Sequence, residues 1–247
     1  MSLMESHIPN GMQDDARGWQ FFTIRLLHCV YLLMKVQEGG CEMEKERLKK
    51  RLKKQMDFCL EIDKEKRIGR QTYRSDAIQR ENDAEHAWHM AVMTLLLSEY
   101  ANDKIDVLRT ISMLLIHDLV EIYAGDTYAY DEEAKKTQRQ REVNAAEKLF
   151  SMLPKDQETF MRNLWDEFEE GATAESKFAH TMDNIQPTML NAATKGKGWV
   201  EKNAQLSKIL QRNQHTGEGS EVLWNYSLQN FIMPNVENGK ITDDRTE

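Results

Sequence analysis

Hydrophobic residues recur every three or four positions along most of the chain, which is the spacing of amphipathic helices. Apolar residues from Leu48 to Leu60 form one stripe and predict a helix over 44–63. The polar, arginine-rich stretch 64–82 breaks this spacing and predicts a loop or short turns. The helical spacing returns in later segments and predicts helices over 82–100, 105–124, 131–153, 155–170, 173–187, 200–214 and 221–231.

The ends of these helices carry recognisable capping residues. Asn82 followed by Glu85 predicts a capping box at the start of one helix. Gly125 supplies a C-terminal stop for the helix over 105–124. Pro187 has no N–H, so the carbonyl of Asp183 loses its helical partner, and we expect the helix to be interrupted there and to aim Asp183 inward.

Composition agrees with an all-α protein, because only 4 prolines and 12 glycines occur in 247 residues. The length suits a single helical domain, which we place at 43–234, followed by a polar tail at 235–247. A formal net charge of −8 argues against a broad nucleic-acid-binding surface.

Three cysteines at positions 29, 41 and 59 have no metal-binding spacing, and their number is odd. A reducing, cytoplasmic location is the simplest expectation. The apolar stretch 21–36 is short and contains Arg25 and Lys35, so it predicts neither a membrane span nor a signal peptide.

Residues 1–42 fit the remaining pattern poorly and leave two hypotheses open. Met43 begins a stretch typical of a natural start, and Glu38-Gly39-Gly40 can be encoded by a bacterial ribosome-binding sequence. Residues 1–42 would then be a mis-called, non-native extension. Alternatively, residues 19–36 form a genuine amphipathic helix that packs on the domain.

Four residues have the chemistry of a divalent metal site: His86, the adjacent pair His117 and Asp118, and Asp183. Each lies in a predicted helix, so three helices could converge on one ion. His117 follows the apolar stripe of its helix, where burying ionisable groups is costly unless they are paired or bind a metal. His89 and His180 have no such context and are interpreted as ordinary core histidines.

Three segments carry a family resemblance: 80–88 (RENDAEHAW), 116–126 (IHDLVEIYAGD) and 177–187 (KFAHTMDNIQP). Together they resemble the HD-domain superfamily of metal-dependent phosphohydrolases, in the branch of the 5′-deoxynucleotidases. The resemblance covers roughly residues 45–195, and its specificity comes from three separated motifs in the right order. It implies a single helical bundle with the metal site between helices.

The resemblance also implies roles for individual residues. His86, His117, Asp118 and Asp183 correspond to the family's metal ligands. Glu121 corresponds to the residue that orients or deprotonates the attacking water, and Asp126 would be a second catalytic carboxylate. The family places a phosphate-binding arginine upstream of the first metal histidine, and both Arg70 and Arg74 remain candidates.

The expected function is hydrolysis of (deoxy)nucleoside 5′-monophosphates to nucleoside and phosphate with one divalent metal ion. The ligand set accepts Mn, Co, Fe, Ni, Zn or Mg. Two alternatives remain: a phosphohydrolase or phosphodiesterase acting on another small phosphate ester, and a non-catalytic regulatory protein that binds metal and nucleotide. The expected partners are therefore small molecules rather than nucleic acid or membrane, with a homodimer possible.

Overall fold

The computed structural model of the chain describes residues 42–125 and 132–245. The chain divides into two units, residues 1–53 and 54–247, and the described part of the first unit is helical. The hypotheses for residues 1–42 therefore concern residues that lie, except for Glu42, outside the described part.

Helices dominate the described residues and confirm the all-α expectation. In chain order they are α1 (Glu42–Ile62), α2 (Asp83–Leu97), α3 (Val107–Ile116), α4 (Glu121–Ala124), α5 (Glu132–Phe150), α6 (Lys155–Glu170), α7 (Ala174–Ala193), α8 (Lys197–Glu201), α9 (Leu206–Arg212), α10 (Thr216–Gly219), α11 (Glu221–Ser227) and α12 (Met233–Glu237). Short 3₁₀ turns cover Asp63–Arg67, Ser98–Tyr100 and His117–Val120, and a π-helical turn covers Leu228–Ile232.

The stretch 64–82 contains regular structure that the sequence pattern did not predict. After the 3₁₀ turn, β1 (Gly69–Tyr73) and β2 (Arg80–Asn82) form an antiparallel hairpin. Gly69 pairs with Asn82, and Tyr73 pairs with Arg80. Both strands are largely polar, so they lack the alternation of apolar residues by which a strand is recognised. The hairpin leads directly into the capped start of α2.

The core lies between α2, α3, α6 and α7, which pack against one another. Met90, Leu114, Trp165 and Phe178 are fully buried there, one from each helix. A smaller apolar cluster near the C-terminus contains Ile241, which is 1% exposed. The segment expected to be a polar tail therefore packs against the fold within its described part.

Three helices differ from the sequence prediction. The helix expected over 105–124 ends at Ile116 and continues as a 3₁₀ turn and the short α4. The interruption expected at Pro187 is wrong, because α7 runs through it to Ala193. The helix expected over 200–214 is divided into α8 and α9. The spacing of apolar residues along the chain did not predict where these helices end.

Within the described residues, every helix is too short or too polar to cross a lipid bilayer.

Candidate metal centre

Three separate elements bring His86, His117 and Asp183 together. Each offers one ligand atom, and these three atoms lie within 4.8 Å of one another. His86 Nε2 is 3.0 Å from Asp183 Oδ1, and His117 Nε2 is 4.0 Å from the same oxygen. Both imidazole nitrogens therefore lie close to the same carboxylate oxygen.

Asp118, the fourth expected ligand, borders this cluster. Its Oδ2 lies 3.1 Å from His117 Nε2. Ligand atoms about 2 Å from a common first-row ion are separated by at most about 4 Å. The distances from Asp183 to the two histidines and from His117 to Asp118 are within that limit. The atoms that all lie within 4.8 Å of one another belong to His86, His117 and Asp183 and do not include one from Asp118.

The start of α2 places His86. Asn82 accepts a hydrogen bond from the backbone N–H of Glu85, and the Glu85 side chain accepts one from the backbone N–H of Asn82. This is the predicted capping box, and it confirms the role of Glu85 as a cap. His86 follows immediately in the first turn and is completely buried. The cap thus fixes the start of α2, and His86 lies in the first turn after it.

His117 lies at the break between α3 and the following 3₁₀ turn. Its Nδ1 donates to the carbonyl of Leu114 over 3.0 Å, which leaves Nε2 facing the carboxylates. In a 3₁₀ turn, side chains three positions apart are eclipsed, so Asp118 and Glu121 project in similar directions. In an unbroken α-helix residues three positions apart also share a face, but they are not eclipsed.

Electrostatic coupling within the cluster is strong. Burial alone lowers the pKa of His117, but the Asp118 and Asp183 carboxylates outweigh it and raise the pKa to about 9. Burial acts to raise the pKa of Asp118, yet His117 and Arg70 hold it below its usual value. Against burial, His86 lowers the pKa of Asp183 well below its usual value. The carboxylates are thus ionised beside cationic groups, and a divalent ion could replace the imidazolium protons.

The structure separates the two arginine candidates. Arg70 Nη1 donates to Asp118 Oδ2 over 2.7 Å and to Asp83 Oδ1 over 3.2 Å, so this guanidinium borders the cluster. Arg74 instead donates to Glu85 and Gln79.

Three buried acidic residues near Arg70 or Asp118 were not singled out from the sequence. Asp83 is completely buried, and Glu81 Oε1 lies 3.7 Å from Arg70 Nε. Glu65 is also buried, and burial together with Asp118 and Asp83 raises its pKa to about 7. Glu65 and Glu81 lie in the polar stretch 64–82, which resembles an exposed loop, and Asp83 directly follows it, so the sequence gives no signal of their burial.

Gln186 was also missed by the sequence analysis. Its side chain is completely buried and contacts His86, Glu81 and His89. Its spacing from Asp183 could have identified it, because a residue three positions after Asp183 lies on the same face of the helix.

Four other residues named from the sequence have different outcomes. Glu121 begins α4 and is partly buried, whereas Asp126 lies outside the described residues. His180 contacts the carbonyl of Phe168 over 2.8 Å and is an ordinary packed histidine, as expected. Trp88, an aromatic residue on a helix and therefore expected to pack in the core, is instead 65% exposed.

Imidazole nitrogens and carboxylate oxygens in a buried cluster are the ligands that divalent first-row metals prefer. The residues present therefore fit a divalent metal ion.

Comparison with known proteins identifies the family to which the chain is similar. A sequence profile of the HD domain matches residues 62–224, which include the whole cluster. A predicted metal-dependent phosphohydrolase from Magnetospirillum magnetotacticum has a similar crystal structure, with a TM-score of 0.73 and 41% sequence identity. That similarity covers 77% of this chain and 95% of the other.

Curated relatives are similar over shorter segments. The 5′-deoxynucleotidase HDDC2 of Homo sapiens is 28% identical over 132 residues, which are 53% of this chain and 63% of the relative. The protein of the same name from Xenopus laevis is 34% identical over 106 residues, 43% of this chain and 51% of the relative. The matched segments thus span between half and two thirds of these relatives.

Proposed function

Because this chain belongs to the HD-domain family, we propose that it is a metal-dependent phosphomonoesterase that hydrolyses deoxynucleoside 5′-monophosphates. The observation that carries the proposal is the convergence of His86, His117 and Asp183 from three elements. The relatives named 5′-deoxynucleotidase support the choice of substrate, and the Magnetospirillum protein supports the reaction class.

His86, His117, Asp118 and Asp183 would hold one divalent ion. When bound, this ion would supply Lewis acidity toward the phosphoryl oxygens and make nearby water more acidic. The Nδ1–H of His117, held by the Leu114 carbonyl, orients its ring so that Nε2 points at the site. The protein's contribution is thus a set of ligand atoms from two buried histidines and two partly buried aspartates.

In the proposed reaction a water oxygen forms a bond to phosphorus, and the bond between phosphorus and the 5′-oxygen breaks. Glu121 accepts the proton of the attacking water, because it follows Asp118 by three positions at the same side of the turn. Asp126 donates a proton to the leaving 5′-oxygen or holds the sugar. Free phosphate and the nucleoside are the products.

Arg70 would meet the phosphate dianion. Its guanidinium lies beside Asp118, whereas that of Arg74 is engaged with Glu85 and Gln79. A planar guanidinium can bind two phosphate oxygens at once. The neighbouring carboxylates raise the pKa of Arg70 despite its burial, so it remains charged.

Phosphate release from a panel of nucleotides tests the proposal. The panel contains deoxynucleoside 5′-monophosphates, AMP, a deoxynucleoside 3′-monophosphate and bis(p-nitrophenyl) phosphate, each assayed with Mn²⁺, Co²⁺, Ni²⁺, Zn²⁺ and Mg²⁺. We expect metal-dependent release that is fastest from the 5′-deoxynucleotides. Preferential cleavage of the diester would indicate a phosphodiesterase, and tight binding of dAMP without phosphate release would indicate a regulatory protein.

We also propose a homodimer. Trp88, Leu95 and Leu96 on α2 are 65%, 63% and 68% exposed, an unusual density of large apolar side chains on the exposed part of one helix. Light scattering coupled to size-exclusion chromatography should give twice the mass of one chain. A monomer at micromolar concentration would contradict the proposal.

A further inference from the structure

We propose that Glu81 and Gln186 determine which ring nitrogen of His86 carries the proton, so that Nε2 presents its lone pair to the metal centre. The inference rests on the metal-binding role proposed above for His86. Its basis is a buried chain of three side chains, Glu81–Gln186–His86, of which none is more than 3% exposed. Gln186 and Glu81 are thus positioning residues that act through His86.

The orientation of the Gln186 amide follows from its neighbours. Its Nε2 lies 2.8 Å from Glu81 Oε2 and 3.2 Å from His89 Nδ1. The Oε2 of Glu81 accepts a hydrogen bond from the amide, so the amide NH₂ faces Glu81. The opposite orientation would place two acceptor oxygens against each other in a buried site, at a cost of about 1–3 kcal/mol or more.

The tautomer of His86 then follows from the amide. With its NH₂ facing Glu81, Gln186 directs Oε1 at His86 Nδ1, 2.9 Å away. An amide oxygen only accepts, so Nδ1 must donate its proton. The other ring nitrogen, Nε2, faces Asp183 Oδ1 at 3.0 Å and is the atom left to bind metal.

Glu81 makes no direct hydrogen bond of ordinary length to His86. Its Oε1 is 3.6 Å from His86 Nδ1, which is beyond hydrogen-bond distance. The carboxylate therefore acts through the amide, which uses both of its N–H groups and one oxygen lone pair. Because Glu81 lies on β2 and Gln186 on α7, the chain also joins two elements that are far apart in sequence.

Long-range ¹H–¹⁵N correlation spectra of histidine-labelled, Zn²⁺-loaded protein test the inference. In the wild type we expect His86 to carry its proton on Nδ1, with slow solvent exchange, and to bind Zn²⁺ through Nε2. Gln186→Leu should weaken Zn²⁺ binding about 10–100-fold and abolish the slow exchange. Glu81→Gln lets the amide adopt either orientation and should give an intermediate affinity.

Thr188→Val is the matched control, because Thr188 is buried on the same helix and contacts only the Asn184 carbonyl through its hydroxyl. It should bind Zn²⁺ as the wild type does. A wild-type spectrum with the His86 proton on Nε2, or equal affinities for Gln186→Leu and Thr188→Val, would overturn the inference.

The wild-type spectrum remains decisive if a variant fails to fold. A protein that shows the expected tautomer but releases no phosphate would end the proposed function and leave this inference intact. If Zn²⁺ does not bind to the wild type, the metal-binding role of His86 is lost and this inference is overturned with it.

Discussion

Arg70 donates a hydrogen bond of 2.7 Å to Asp118, although 48 positions separate the two residues in the chain. This bond joins the proposed phosphate-binding residue to a proposed metal ligand. The same guanidinium nitrogen is 3.2 Å from Asp83. A substrate phosphate at Arg70 would therefore be held next to the metal centre, and a change at Arg70 should affect substrate binding more than a change at Arg74.

Arg70→Lys should raise KM for a deoxynucleoside 5′-monophosphate about 10–100-fold, because a charge-assisted hydrogen bond of about 1.5–3 kcal/mol is lost. Lysine keeps the positive charge beside Asp118 but lacks the planar fork. Steady-state kinetics measure the change. Arg74→Lys is the matched control and should alter KM less than about twofold. The reverse pattern would assign the phosphate to Arg74.

Asp183→Asn should weaken metal binding more than about 100-fold, beyond the 10–100-fold typical of residues that only orient a ligand. The carboxylate is the group that both imidazoles face, and an amide cannot supply its charge. Metal titration and elemental analysis measure the loss. Asp166→Asn, on the partly exposed side of α6, is the control. Undiminished metal content in Asp183→Asn would exclude Asp183 as a ligand.

Glu121→Gln should retain metal and lower kcat about 10²–10⁴-fold, the usual contribution of a general base. The amide has almost the same shape as the carboxylate but cannot accept the proton of water. Turnover and metal content should be measured on the same preparation. Exposed Glu147 provides the control Glu147→Gln. If the metal is lost together with turnover, Glu121 is a ligand and not the base.

Glu65→Gln should stabilise the metal-free protein by about 1–3 kcal/mol at pH 8 and give no gain at pH 4. Burial, Asp118 and Asp83 raise the pKa of Glu65 from 4.5 to about 7, so the folded protein holds this proton more tightly than the unfolded chain. Its contribution to the free energy of unfolding therefore falls as pH rises from 4.5 to 7.

Urea unfolding of chelator-treated protein at several pH values measures this effect. The variant should lose less stability than the wild type between pH 4.5 and 7. Identical pH profiles for the two proteins would contradict the raised pKa of Glu65. Glu99→Gln, at an exposed carboxylate, should leave the profile unchanged.

The sequence by itself predicted what depends on residues close together in the chain. Helical spacing predicted an all-α fold, and Asn82 with Glu85 predicted the cap of α2, because a capping box needs only a few neighbouring residues. The three ordered motifs also predicted which histidines and aspartates would meet. His86 and Asp183 are 97 residues apart, and only the family resemblance indicated that they would bind the same metal ion.

Tertiary structure decided what depends on contacts between distant segments. Arg70 and Arg74 are both arginines in a polar stretch, and only the hairpin decides which one borders the cluster. The contact between Gln186 and Glu81 spans 105 residues, so no local pattern reveals that a glutamine beside the metal ligand is buried and oriented. Side chains become buried and gain distant hydrogen-bond partners only when helices and strands pack together. That packing therefore determines which side chains lie at the metal centre and how each of them is oriented.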